Sequence, residues 1–226
     1  MKDLIRLIGW WVVLAMPCIQ LYAQSYAHVD INTLTQETQR MVREQSSLTL
    51  GWWIPDEFWM ASLSTNPDVS ETQVQELLKL VRDYTVIVVV KGDISFVGSM
   101  NFYSQADIAP ILTIRAGDGA VYKPLPEDEI SNDTQLFFGM MRPMFANMLG
   151  SMGENMYFFV FPRKDKSGRR LLDPFRQETF SVMVGSEVLT WRTPIGSLID
   201  PKTCPVDQEK MNGAWNYCPW HGEKLN

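Results

Sequence analysis

Six consecutive residues, Thr85-Val86-Ile87-Val88-Val89-Val90, are β-branched without interruption. Successive residues of a strand point to opposite faces, so a strand with one wet face alternates apolar and polar side chains. This run does not alternate. Both of its faces must be covered, and it reads as a central strand inside a layered core. The other strands arrive mostly as hairpins. Lys91-Gly92-Asp93 turns the central run into a second strand over 94–102, its hairpin partner. Ile111-Leu112-Thr113-Ile114-Arg115 and Ala120-Val121-Tyr122 flank the tight turn Ala116-Gly117-Asp118-Gly119, and 180–184 pairs with 188–191 across Gly185-Ser186. Strand-like segments over 48–54, stopping at Pro55, and over 156–161 complete the set.

The clearest helix begins at Ser70-Glu71-Thr72-Gln73, whose spacing lets the Ser hydroxyl and the Gln side chain each satisfy an end amide. Val74, Leu77, Leu78 and Val81 then form one apolar face. Weaker helical patterns cover 30–44, with Ile31, Leu34, Thr38, Met41 and Val42 as its face, a short stretch capped by Asp56, and 136–149. Hairpins outnumber strand–helix alternation, so the fold class is α+β, a largely antiparallel sheet with flanking helices.

The N-terminus carries Lys2 and Arg6, then an apolar run over 7–16 that Pro17 breaks, with Ala23 at a cleavage position. The run is too short for a bilayer span of roughly 20 apolar residues. It predicts a signal peptide over 1–23, a globular domain over 24–200, a tail over 201–226, and a mature protein exported to the periplasm or beyond the cell, with no transmembrane segment after cleavage. Cleavage removes Cys18 and leaves Cys204 and Cys218, and in an oxidising compartment a pair of cysteines first suggests a disulfide.

Composition excludes several classes. The net charge is −6, and the longest basic cluster, Arg163-Lys164-Asp165-Lys166-Ser167-Gly168-Arg169-Arg170, reads as a solvated hairpin tip, so no nucleic-acid partner is expected. Only His28 and His221 are available to a hydrolytic triad, and there is no Gly-x-Ser-x-Gly elbow, phosphate loop or dinucleotide fingerprint. Met140, Met141, Met144, Met148, Met152 and Met156 could hold Cu(I), but the phenylalanines among them make core packing the expectation. Trp52, Trp53, Phe58 and Trp59 read as a core corner rather than a platform for sugars or peptides. Glu127, Asp128, Glu129 and Asp133 read as a solvated acidic loop without calcium-loop spacing.

The most specific motif is at the end of the chain. Cys204-Pro205-Val206-Asp207 and Cys218-Pro219-Trp220-His221-Gly222 start 14 residues apart, with Met211 between them and Tyr217 before the second. This segment resembles the short zinc ribbons that end many bacterial proteins, in which two Cys-Pro-x-Cys-Gly knuckles face each other. The resemblance covers 204–222 only. It departs from the pattern at the second ligand of each knuckle, where Asp207 and His221 stand, and both are zinc-ligand types. Gly222 keeps the glycine that permits a positive φ, while Gln208 replaces it in the first knuckle. The resemblance implies a closed, structural zinc site of Cys204, Asp207, Cys218 and His221. The alternative is a Cys204–Cys218 disulfide across a ribbon that has lost its metal.

These features together suggest a non-enzymatic exported binding or envelope-accessory protein with an envelope protein as partner, Trp215 and Trp220 supplying the contact. Two alternatives stand beside it: a carboxylate-dependent hydrolase of envelope or extracellular glycans, and a periplasmic metal carrier using the methionine stretch.

Overall fold

The computed structural model describes Tyr26 and residues 29–64 and 68–226. The signal-peptide expectation and His28 lie outside the described residues. In chain order the elements are α1 (Ile31–Thr38), β1 (Gln39–Arg43), β2 (Ser47–Ile54), α2 (Asp56–Ser64), α3 (Glu71–Val81), β3 (Tyr84–Ile94), β4 (Met100–Phe102), α4 (Gln105–Ile108), β5 (Leu112–Arg115), β6 (Val121–Tyr122), α5 (Asn132–Leu149), α6 (Ser151–Glu154), β7 (Tyr157–Pro162), β8 (Glu178–Val184), β9 (Glu187–Thr193), β10 (Lys202–Thr203) and β11 (Lys210–Met211). Every pairing between them is antiparallel, and the fold is α+β.

β3 is the central strand that its β-branched run demands. β2 pairs along one side; β7 and then β4 pair along the other. Residues 85–90 are all buried. The neighbouring tryptophans of β2 show what covers each face. Trp52 meets Phe58 of α2 and Phe145 of α5, whereas Trp53 points the other way and meets Phe180 of β8 edge-on at 5.0 Å. Phe180 in turn stacks on Trp191 of β9. One face of the five-stranded sheet is therefore closed by helices and the other by the four-stranded sheet β6-β5-β8-β9. Gly51 allows that second approach: a Cβ there would lie 2.5 Å from Leu189 Cδ1.

Ser70 caps α3 as its spacing requires, with the Gln73 side chain accepting from the Ser70 amide. Elsewhere the structure departs from expectation. The helix expected over 30–44 ends at Thr38, and 39–43 forms β1. Thr38 marks the break, because its carbonyl accepts from the Trp191 indole and its hydroxyl from the Trp52 indole. Those long-range partners, and the pairing of Gln39 with Trp52, hold the chain extended against its weak helical pattern. The strand expected over 94–102 is divided as well. β3 runs through Lys91-Gly92-Asp93 to Ile94, the turn falls at 95–99, and only three residues return as β4. Asp56 does not cap α2; its carboxylate is taken by both terminal nitrogens of Arg163, at 2.9 and 2.7 Å.

Two further side-chain expectations are corrected. Arg163 and Arg170 are not part of a solvated tip: Arg170 grips Glu57 at 2.6 and 2.8 Å, so these arginines clamp the 163–170 hairpin to the start of α2. Only its turn, organised by the Asp165 carboxylate accepting from Ser167 and Arg169, faces water. Hydrogen bonds from Ser167 hold that carboxyl down at about 2. The methionine stretch is only partly core. Met156 is buried and Met141 and Met152 pack against the core, but Met140, Met144 and Met148 are exposed, together with Leu136, along the outer side of α5. The phenylalanines at 137, 138 and 145 occupy the inward face and leave these methionines outside.

Candidate metal centre

The tail forms a second, separate apolar cluster of Cys204, Met211, Cys218 and Leu225. So small a core cannot stabilise a fold by burial alone, and small domains of this kind rely on cross-links or metals. Its backbone instead builds the same turn twice. The Gln208 amide donates to the Cys204 carbonyl at 3.0 Å and the Gly222 amide to the Cys218 carbonyl at 2.9 Å. The Cys204 amide donates to the Glu209 carbonyl, and the Cys218 amide to the Glu223 carbonyl. Both turns need a left-handed residue at their fifth position. Gly222 sits at φ 71°, and Gln208 at φ 63°, the one non-glycine with positive φ among the described residues. A side chain in that region costs about 1 kcal/mol or more, so the first turn carries a strain that the second avoids.

Each turn aims amides at its sulfur. Cys204 Sγ accepts from the amides of Asp207 and Val206, Cys218 Sγ from those of His221 and Trp220. Burial pushes the Cys204 thiol up. Burial acts on Cys218 in the same sense, but the two amides and the Cys204 and His221 side chains outweigh it and hold that thiol down.

Between the turns stands His221. Its Nδ1 is 3.4 Å from Cys204 Sγ and 3.5 Å from Cys218 Sγ. The donor atoms of Cys204, Cys218 and His221 all lie within 4.8 Å of one another, the one such group of three among the described residues. This group could hold a metal ion. Both cysteines are free thiols, and no bond joins them. Asp207 completes the surroundings: Oδ1 accepts from the Glu209 amide at 3.1 Å, and Oδ2 is 3.7 Å from His221 Nδ1. The Glu209 amide and the Cys204 side chain hold the Asp207 carboxyl below its ordinary range, keeping it anionic. A tetrahedral zinc with bonds of about 2.3 Å to sulfur and 2.0–2.1 Å to nitrogen or oxygen has S···N edges of about 3.5 Å and an N···O edge of about 3.4 Å. The two S···N edges, 3.4 and 3.5 Å, match, and the N···O distance of 3.7 Å is slightly long. The Asp207 carboxylate stands outside the group of three whose donor atoms lie within 4.8 Å of one another.

Compared with protein-family models, curated proteins and solved structures, the chain matches none.

The tail is also fastened to the body. Glu37 of α1, which no sequence pattern singles out, accepts from Asn212 Nδ2 at 3.0 Å and from the Ser197 amide at 2.9 Å. Gly196 and Gly213 let the two parts close, because a Cβ on Gly196 would lie 1.8 Å from Asn212 Oδ1 and one on Gly213 2.6 Å from the Asp200 carbonyl. Outside the clasp, Trp215, Tyr217 and Trp220 are exposed, Trp220 by 74%. No described helix is long and apolar enough to cross a membrane.

Proposed function

We propose that the protein is a non-enzymatic exported binding protein whose C-terminal tail is a zinc-ribbon-like clasp. Cys204, Cys218, His221 and Asp207 would hold one zinc, and the reading rests on the two S···N separations of 3.4 and 3.5 Å. Four protein ligands leave no position for substrate, so the metal would supply structure by cross-linking the two turns. The exposed Trp215, Tyr217 and Trp220 would then be presented on a rigid support to an envelope protein partner. Nothing observed favours the glycan hydrolase. Trp52, Trp53 and Trp59 are core residues, and the neighbouring Asp56 and Glu57 are each held by an arginine. The exposed Met140, Met144 and Met148 do support a carrier of Cu(I) as a second reading, which uptake lost in the triple Met→Leu variant would uphold.

Zinc affinity measured by competition with a chromophoric chelator tests the ligand set. Cys218→Ser is expected to abolish stoichiometric zinc. His221→Ala and Asp207→Ala are expected to weaken binding, the histidine variant more. Affinity unchanged in His221→Ala would reject the four-ligand assignment.

A further inference from the structure

A cleft of about 750 Å³ opens where the tail meets the body. Its charges are unbalanced. The strict alternation of β9 turns Arg192 outward between the buried Trp191 and Thr193, and Arg192 has no ion-pair partner among the described residues. Across from the strand, Lys202 Nζ donates to the Trp215 carbonyl at 2.6 Å and to Asn216 Oδ1 at 3.4 Å, with no ion-pair partner among the described residues. One carboxylate lines the cleft, Glu37, and both of its oxygens are already engaged in holding the tail. Two cations thus face the same space in a chain of net charge −6. Trp215, 45% exposed, and the side-chain amides of Gln177 and Asn216 share that lining.

We propose that this cleft binds an acidic sugar through its carboxylate. A guanidinium offers a planar fork that matches a carboxylate, and a lysine ammonium adds a point charge without geometric demand. An indole ring presents a flat apolar face to the C–H side of a pyranose, while amide side chains can both donate to and accept from hydroxyls. A cavity of several hundred Å³ with a few convergent polar groups suits one or two sugar units. The net negative charge gives no long-range steering, so selectivity comes from local pairing and is retained at moderate salt. The proposal does not depend on zinc, because Asn212, Glu37 and the two glycines also fix the tail in place.

Isothermal titration of the full chain with D-glucuronate and D-glucose tests it, with zinc content and the melting curve recorded on the same samples. Glucuronate should bind saturably, with glucose roughly tenfold weaker, a difference of about 1.4 kcal/mol. Arg192→Gln, on an exposed strand position, should melt normally and lose the preference for the acid. Trp215→Phe should keep binding, whereas Trp215→Ala should weaken both sugars. No saturable heat with glucuronate, equal binding of glucose, or an unchanged preference in Arg192→Gln would overturn the proposal. Binding by zinc-free protein would still uphold it.

Discussion

The body and the tail solve the same problem by opposite means. β3 is buried along eight consecutive residues, 85–92, between helices and a second sheet, and large aromatic side chains fill both gaps. Stability there comes from apolar area removed from water, on the order of 25 cal/mol per Å². The tail buries four side chains, two of them cysteines, and must hold together through its repeated turn, its fastening to Glu37 and the donor cluster. Most body residues therefore contribute through their volume, the Glu57–Arg170 and Asp56–Arg163 clamps aside, and tail residues through polar contacts and backbone angles. The two regions should fail independently.

The largest expected effect lies in the body. Phe161→Ala empties a fully buried position and should lower global stability by about 3–5 kcal/mol in denaturant unfolding. Hydrogen exchange of the 204–222 amides under native conditions should barely change; if those amides lose protection in step, the regions are one cooperative unit. Glu57→Ala removes the buried partner of the half-buried Arg170; losing one member of a fully buried pair costs about 3–5 kcal/mol, so a loss of about 2–3 kcal/mol is expected here. Glu57→Gln should cost less, and equal losses would show that charge is irrelevant to the clamp. In the tail, Gln208→Gly removes the left-handed strain and should stabilise the clasp by about 1 kcal/mol without moving the body's Tm. Slower local exchange is the readout, and faster exchange would contradict the geometry.

Legibility in the sequence followed the range of the determining contacts. The capping box at Ser70 and Gln73 is a contact over three residues, and the β-branched run at 85–90 states its own burial; both appear as read. α1 ended early because Thr38 is held by Trp52 and by Trp191, the latter 153 residues away, which no local pattern reports. Arg163 and Arg170 looked solvated for the same reason, since Asp56 and Glu57 reach them only through the fold. Met140, Met144 and Met148 fell outside because phenylalanines claim the inward face of α5. The grouping of Cys204, Cys218 and His221 was legible because these residues sit in two short turns 14 residues apart, while Asp207, read with them, stands outside that group. The cleft was not legible: Arg192 and Lys202 share it only after Gly196 and Gly213 let the tail close on the body.

The central claim, that the tail is closed by metal rather than by a covalent bond, is tested by counting zinc and thiols together on protein purified without reductant or chelator. One zinc per chain, with two thiols that react only after the metal is withdrawn, is the predicted result. No zinc, with neither Cys204 nor Cys218 titratable as a thiol, would mean that the two are joined to each other, and would contradict it.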